Sequence, residues 1–160
     1  IYDLEKEFEI GQTIINGSYN RQVGQKVKHK AEDLYLIPKT NISYKRYEDE
    51  IFSNKKVFGK GNTYEDAYME GDNAFTRVVT NNNSKNIMFV GSSYTNILEA
   101  LSVPSYKEVL SIDYRHNKTG RSIKYYVDKY NIDYVVFVPA QSNNSYSLDK
   151  IKLHLGIINN

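Results

Sequence analysis

Three short apolar runs, separated by two amphipathic segments, dominate the second half of the sequence and limit the folds open to it. The runs are "NIMFV" (86–90), "EVLSID" (108–113) and "YVVFVP" (134–139). None shows the in/out alternation of a half-exposed strand, and such strands are typical of parallel sheets covered on both faces. The order strand, helix, strand, helix, strand, joined by right-handed crossovers, therefore predicts a parallel α/β unit over residues 86–140.

The two segments between these runs carry apolar residues at helical spacing. The spacing i, i+3, i+4 and i+7 predicts an amphipathic helix whose apolar stripe faces the core. The stripes consist of Tyr94, Ile97, Leu98 and Leu101 in the first segment and of Ile123, Tyr126, Val127 and Tyr130 in the second. The unit is thus predicted to be a three-layer, flavodoxin-like α/β fold.

Residues 1–85 differ in character, because they are rich in turn formers, tyrosine and β-branched residues. "QTIINGSYNRQVG" predicts two strands around Asn16-Gly17, a dipeptide suited to a tight hairpin turn. "DLYLIP" predicts a short strand that ends at Pro38, and "FTRVVTNNNS" predicts another that runs into an asparagine-rich turn. We interpret this part as a β-rich lead-in with long loops, followed by the parallel α/β unit in residues 86–160.

Length and composition exclude several classes of protein. A chain of 160 residues is one domain or a fragment of a larger one. A net charge of +2 argues against a nucleic-acid partner. The chain lacks cysteine, metal-ligand spacing and a phosphate-loop motif, so we expect no cofactor and no metal. No apolar run approaches the roughly 20 residues that span a bilayer. Because the chain opens on Ile1 within a charged segment, we expect a piece of a longer protein, with any membrane association through other parts.

Gly91, Ser92 and Ser93 lie where the first apolar run gives way to the first helix. In open parallel sheets, ligands bind outside the carboxyl ends of the strands. A serine at this point can cap the helix, or it can attack a carbonyl while helix-terminal N–H groups stabilise the oxyanion. The same N–H groups can also hold an anion. We expect Gly91 to allow a sharp bend and the close approach of a substrate, but the spacing leaves the three roles of the serines open.

A resemblance to a known family bears on this choice. "IMFVGSSYTNILEAL", "YKEVLSIDYRHN" and "YYVDKYNIDYVVFV" resemble the C-terminal part of SGNH-hydrolase-like proteins of the DHHW type, which are kin of the alginate O-acetyltransferases of bacterial cell envelopes. The upstream "GSYNRQVG" and "YMEGDNAFTRVVTNNNSKN" are similar to that family's lead-in. The resemblance implies an SGNH-like fold, a polysaccharide or small acyl substrate, envelope assembly partners, and a location in the cell envelope or outside the cell.

The resemblance also implies roles for single residues. Ser93 matches the nucleophilic serine, and Gly91 matches the residue that opens the turn. Asn96 matches an asparagine one turn into the helix and, with Gly91 and Ser92, is expected to form the turn and the oxyanion site. Arg115 and His116 match the pair that ends the second parallel strand, and they are candidate substrate contacts beside Ser93.

Two departures from the family pattern put the activity in doubt. The family has aspartate where this chain has Ser92. A serine nucleophile also needs a base and a carboxylate that orients it, and the family takes both from an Asp-x-His element that is missing from residues 1–92. His29 has basic neighbours, and the spacing of Asp149 and His154 places them on different faces of a helix.

Three hypotheses follow. The first is an SGNH-like O-acyltransferase or esterase that acts on polysaccharide O-acetyl groups through Ser93, with its Asp–His pair upstream of this fragment. The fragment alone is then expected to be inactive, although His116, with Asp113 nearby, is a less favoured candidate base. The second is a catalytically incomplete SGNH-like binding or assembly domain. The third is an anion- or nucleotide-binding flavodoxin-like domain.

Overall fold

The computed structural model describes residues 8–14, 32–38, 41–59, 67–113, 116 and 120–138. The described chain forms eight strands and two helices. In chain order they are β1 (Phe8–Ile14), β2 (Glu32–Pro38), β3 (Tyr44–Glu48), β4 (Ile51–Ser53), β5 (Phe75–Thr80), β6 (Asn86–Gly91), α1 (Thr95–Ser102), β7 (Glu108–Asp113), α2 (Ile123–Tyr130) and β8 (Tyr134–Phe137).

Six of the strands form one mixed sheet in the order β4-β3-β5-β7-β6-β8. β6 lies between β7 and β8 and is parallel to both, which confirms the predicted parallel strands. β5 joins the other side of β7 antiparallel, and β3 and β4 continue the sheet antiparallel. Strands from the β-rich lead-in therefore extend the same sheet as the parallel unit, and the molecule is an α/β fold with a mixed sheet.

The remaining two strands form a separate antiparallel pair. β1 pairs with β2 along its whole length, from Phe8 opposite Pro38 to Ile14 opposite Glu32. β2 confirms the strand predicted in "DLYLIP". The predicted hairpin turn at Asn16-Gly17 lies outside the described residues.

The two helices pack on opposite faces of the sheet. Adjacent side chains of a strand point to opposite faces, and both faces of β6 are buried. Ile87 lies in one apolar cluster with Ala100 of α1, whereas Met88 lies in a second cluster with Tyr126 of α2. Neither helix is long and apolar enough to cross a membrane, and the same holds for every helix in the described part of the chain.

The prediction that all three parallel strands are covered on both faces is wrong for β8. β6 is buried throughout and β7 nearly so. In β8, by contrast, Tyr134 is 51% exposed and Phe137 is 47% exposed. The reason is position, since β8 is the last strand of the sheet in the described part of the chain and has a described neighbour on one side only.

The apolar stripe predicted for α2 is confirmed. Ile123 and Tyr126 are buried, and Val127 and Tyr130 pack against the same cluster. Phe75 of β5 stacks on Tyr126 with ring centroids 4.7 Å apart. This helix covers the sheet in the ordinary way, through apolar contacts.

Only half of the apolar stripe predicted for α1 faces the core, since Ile97 and Leu101 pack against the first apolar cluster. Tyr94 is 67% exposed and Leu98 is 41% exposed. The buried residues of the helix are instead Thr95, Asn96, Glu99 and Ala100. Polar groups of the sheet and of the loop before β5 bind Thr95, Asn96 and Glu99, so the helix buries polar side chains beside the inner half of its apolar stripe.

Candidate functional site

The carboxyl end of β6 lies between the ends of two neighbouring strands. Gly91, its last residue, pairs in register with Asp113, the last residue of β7. On the other side, the N–H of Val138, just beyond β8, donates to the carbonyl of Val90 over 2.9 Å. The segment that follows Gly91 therefore leaves from the interior of the sheet edge, where ligands bind in open α/β folds.

Gly91 is required by the backbone that lies against it. A Cβ atom at this position would be 2.6 Å from the carbonyl oxygen of Val138 and 2.6 Å from Cγ2 of Thr95, far inside van der Waals contact. Its φ lies outside the left-handed region that favours glycine. The close approach at this glycine is therefore made by the chain after β8 and by α1.

The turn after Gly91 is closed by backbone hydrogen bonds. The N–H of Thr95 donates to the carbonyl of Ser92 over 2.8 Å, and the N–H of Asn96 donates to the carbonyl of Ser93 over 3.1 Å. The N-cap residue of α1 is Tyr94, and no side chain caps the helix. The helix-cap role of Ser92 or Ser93 is therefore wrong, because the carbonyls of the turn have taken over the function of a cap.

The two serine hydroxyls lie in different environments. Ser92 is 1% exposed, and its Oγ has no hydrogen-bond partner within the described part of the chain. Ser93 is half-buried, and its hydroxyl donates to no group in the described part of the chain. The turn thus buries the hydroxyl of Ser92, whereas Ser93 is only half-buried and its hydroxyl is unbonded among the described residues.

Asn96 is held by a residue that the sequence interpretation missed. It is 7% exposed, and its Nδ2 donates to Oδ1 of Asp72 over 2.9 Å. Asp72 lies in the loop before β5, and that loop reaches the site edge because the N–H of Asp113 donates to the carbonyl of Ala74 over 3.0 Å. In the sequence, Asp72 lies in the segment "EGDN". That segment reaches Asn96 only because β5 pairs with β7.

Of the two candidate substrate contacts after β7, the structure describes only His116. Arg115 lies outside the described residues, as do His29, Asp149 and His154. The side chain of His116 is 55% exposed, and its Nε2 lies 3.9 Å from Oδ2 of Asp113, too far for a hydrogen bond. Asp113 and His116 therefore do not form a hydrogen-bonded dyad, although both lie near the edge that carries Ser93.

A buried polar cluster lies beneath the turn, between α1 and the sheet. Glu99 is 1% exposed, and its carboxyl accepts a hydrogen bond from the hydroxyl of Thr76, which stands opposite Ser111 on the neighbouring strand. The Ser111 Oγ lies 3.2 Å from Oγ1 of Thr95, whose hydroxyl donates to the carbonyl of Ser92 over 2.8 Å. Burial raises the pKa of Glu99 from its ordinary value of 4.5 to about 7.

A polar cleft of about 240 Å³ lies elsewhere on the molecule. Its lining includes Asn41, Ser43, Thr80 and Asn82. Thr80 ends β5, and β5 runs antiparallel to β7, so the cleft lies at the sheet edge opposite Ser93. Across the described residues, no group of three or more His, Asp or Glu side chains is placed to hold a metal ion.

Comparisons with known proteins give a fold and no sequence family. No protein-family model matches the sequence, and no curated protein is significantly similar to it. Among solved structures, PatB1 of Bacillus cereus superposes with a TM-score of 0.69 at 22% identity, over 92% of this chain and 53% of PatB1. The structure of PatB1 with a sulfonyl adduct gives 0.67 at 18% identity, over 91% and 51% of the two chains.

A DHHW family protein from Eubacterium siraeum DSM 15702 superposes with a TM-score of 0.65 at 15% identity. The match covers 87% of this chain and 49% of that protein. The chain thus spans about half the length of the structures that it resembles. It shares the fold of DHHW and PatB1 proteins, and this confirms the resemblance seen in the sequence at the level of structural kinship.

Proposed function

We propose that this chain is the serine-bearing part of an SGNH-like O-acyltransferase or esterase, with Ser93 as the nucleophile. The proposal assigns the mixed sheet and its two helices to the three-layer SGNH arrangement. It is supported most by Ser93, which is half-buried beyond the carboxyl end of β6 and whose hydroxyl is unbonded among the described residues. A cap would have used that hydroxyl locally, and α1 begins without one.

In the proposed reaction, Ser93 Oγ attacks the acyl carbonyl while a base takes the hydroxyl proton. The tetrahedral intermediate expels the alcohol of the acyl donor, which takes the proton from the base, and an acyl-enzyme remains. An acceptor hydroxyl or water then loses its proton to the base and attacks the acyl carbon, and Ser93 leaves and recovers that proton. The amides of Thr95 and Asn96 already donate to carbonyls of the turn. In the described part of the chain, the amides of Ser93 and Tyr94 have no acceptor, so they are the proposed oxyanion donors. Each such donor is worth roughly 3–4 kcal/mol in the transition state.

Asn96 is proposed as a further oxyanion donor. An amide nitrogen carries two N–H groups, and one of those on Nδ2 of Asn96 is donated to Asp72. That bond fixes the side chain within one helical turn of Ser93. The second N–H is then available to the developing oxyanion.

The base is proposed to lie outside this sequence. In the described residues, no imidazole or carboxylate is hydrogen-bonded to Ser93, so the proposal takes an Asp–His pair from the remainder of the parent protein. Arg115 and His116 are kept as candidate substrate contacts. Support comes from PatB1, which is about twice as long as the matched region and carries a sulfonyl adduct in one of its structures, because adducts of this kind form on nucleophilic groups.

The substrate class follows from the resemblance. O-acetyl groups of a cell-envelope polysaccharide are the proposed substrate, and the cell envelope or the exterior of the cell is the proposed location. An alternative is a catalytically incomplete SGNH-like binding or assembly domain. One observation favours it: the buried, unpartnered Ser92 stands where the family carries an aspartate.

A fluorophosphonate probe on the longest natural form of the chain distinguishes the two functions. The proposal expects the probe to label the protein and Ser93→Ala to abolish labelling. Ser92→Ala is the matched control, because it removes a neighbouring hydroxyl that is buried and unbonded, and it should leave labelling intact. Labelling that survives in Ser93→Ala would contradict the proposed nucleophile, and a protein that never labels would favour the binding domain.

A further inference from the structure

We propose that Glu99 is a positioning residue for the Ser92–Ser93 turn, acting through the hydroxyls of Ser111 and Thr95, and that this relay is complete only when the Glu99 carboxyl carries its proton. The inference rests on the proposed function for its catalytic consequence. The relay itself rests on contacts among buried groups.

The buried hydroxyls lie in one series from the sheet to the turn. Thr76 on β5 donates to Glu99, and Ser111 stands opposite Thr76 on β7, so we assign the second hydrogen bond of the carboxyl to Ser111 as part of the proposal. Ser111 Oγ is 3.2 Å from Oγ1 of Thr95, and Thr95 donates to the carbonyl of Ser92 over 2.8 Å. Every member is at most 6% exposed. Water therefore does not substitute for a missing partner, and each link depends on the protons of its neighbours.

Counting protons shows which form of Glu99 completes the chain. A hydroxyl donates one hydrogen bond, a carbonyl donates none, and a protonated carboxyl donates one. With Glu99 protonated, Thr76 donates to its carboxyl, the carboxyl donates to Ser111, Ser111 donates to Thr95, and Thr95 donates to the carbonyl of Ser92. Each link then has its own proton.

With Glu99 ionised, the chain has one proton too few. The carboxylate accepts from both Thr76 and Ser111, because hydrogen bonds to an ionised acceptor are the stronger ones. The contact between Ser111 and Thr95 then has no proton unless Thr95 turns its own proton away from Ser92. Either the contact is lost or the carbonyl of Ser92 is released. The hydrogen bond that is lost is therefore one made by Thr95, the residue that holds the turn.

The surroundings of Glu99 support a proton on its carboxyl. β5 and β7 contribute hydroxyls, and the charged groups that act on Glu99 are Arg46 and Glu48, both on β3. Two nitrogens of Arg46 are engaged elsewhere, since Nη2 pairs with Glu48 over 2.7 Å and Nη1 donates to the carbonyl of Lys56 over 2.7 Å, while Nε is buried without a partner among the described residues. Burial outweighs the attraction of Arg46, so the pKa of Glu99 rises to about 7.

Amide NMR of the full chain, selectively labelled with ¹⁵N-serine and ¹⁵N-threonine, tests the relay without any assay of activity. The amide resonances of Ser93 and Thr95 should shift with pH around neutrality. In Glu99→Gln the shift should vanish, because glutamine accepts from Thr76 and donates to Ser111 at every pH, as the protonated carboxyl does. Flat resonances in the natural protein, or an equal shift in Glu99→Gln, would overturn the proposal.

Ser111→Ala is the matched control for the path. It removes the link between Glu99 and Thr95 without altering a charged group. The carboxyl of Glu99, followed by ¹³C NMR, should still titrate, while the amides of Ser93 and Thr95 should no longer follow it. Amides that continue to titrate in Ser111→Ala would show that another path joins Glu99 to the turn, and the relay would be wrong.

The rate of fluorophosphonate labelling gives the catalytic consequence. The labelling rate of the natural protein, divided by that of Glu99→Gln, should be close to one at pH 5.5. This ratio should fall about fivefold by pH 8.5, which is the factor that one ordinary hydrogen bond supplies. A merely structural role of Glu99 predicts a ratio that does not change with pH. If Ser93 is labelled but the amide resonances of Ser93 and Thr95 do not shift with pH, the relay is overturned and the proposed function stands. Titrating amides without labelling would support the relay and refute the nucleophile.

Discussion

The two helices follow opposite rules, although they have the same length and connect strands of the same parallel unit. α2 is capped by Ser122, whose hydroxyl accepts from the N–H of Tyr125 over 3.2 Å, and it buries the apolar stripe that the sequence predicts. α1 begins at Tyr94 without a side-chain cap and buries polar groups. α1 starts directly after the candidate site, whereas α2 only covers the sheet.

The two helices show when the hydrophobic pattern of a helix does not decide which of its side chains are buried. An apolar stripe turns inward when the opposite surface is apolar, as it is beneath α2. Beneath α1 the surface is mixed: Ile97 and Leu101 pack against apolar residues, while Thr76 donates to Glu99, which is buried, and Leu98 is left partly exposed. Polar contacts between α1 and the sheet thus contribute to the orientation of the helix that follows the serines.

The largest expected effect contrasts two tyrosines, one on each helix. Tyr126 of α2 is 1% exposed, whereas Tyr94 at the start of α1 is 67% exposed. Tyr126→Ala should lower the free energy of unfolding by about 3–5 kcal/mol, as is usual for a buried aromatic side chain. Tyr94→Ala should change it by less than about 0.5 kcal/mol. Urea denaturation measures the free energy of unfolding of both variants. Similar losses in the two variants would mean that Tyr94 of α1's stripe is buried.

The buried carboxyl of α1 should make stability depend on pH in a defined direction. The folded state holds the proton of Glu99 up to a pKa of about 7, whereas the ordinary value is 4.5. Folding therefore takes up a proton between these values, so this contribution is fully present below pH 4.5 and is lost as the pH rises to 7. The difference in stability between the natural protein and Glu99→Gln, followed by denaturation, should fall through that window. A difference that rises there would contradict the raised pKa.

A substitution at Gly91 should sharpen the account of how α1 is joined to the sheet. Gly91→Ala brings a Cβ within 2.6 Å of the Val138 carbonyl oxygen and of Thr95 Cγ2. Overpacking of this kind costs about 1–3 kcal/mol, and thermal denaturation should show it as a lower Tm. Adding Thr95→Ser removes the methyl group and keeps the hydroxyl. It should recover part of the loss, since the clash with the backbone remains, and no recovery at all would exclude the Thr95 contact.

The smallest effect compares serines at the starts of the two helices. Ser122→Ala removes the cap of α2 and should cost about 1 kcal/mol. Ser92→Ala removes a buried hydroxyl that has no partner, and it should leave stability unchanged or raise it, because an unsatisfied buried polar group is itself unfavourable. Chemical denaturation of the two variants in parallel provides the measurement. A clear loss in Ser92→Ala would mean that its hydroxyl is bonded in solution.

Much of the fold was predictable from local patterns. The parallel strands, both helices and the strand at "FTRVVT" correspond to elements of the structure. The joining of the lead-in to the same sheet was not predictable, because pairing between β5 and β7 depends on residues such as Val78 and Val109 that are distant in the chain. The contact between Asp72 and Asn96 was missed for the same reason.

The amino-acid sequence by itself determined the order of the elements, the place where a strand turns into a helix, and the pair of serines at that place, since each is written in neighbouring residues. Only the tertiary structure decided that Ser92 is buried and Ser93 only half-buried, that Gly91 is required by Val138, and that α1 turns Glu99 inward. These outcomes depend on hydroxyls and carbonyls that the sheet brings together from separate strands, and no local pattern records which partners will meet.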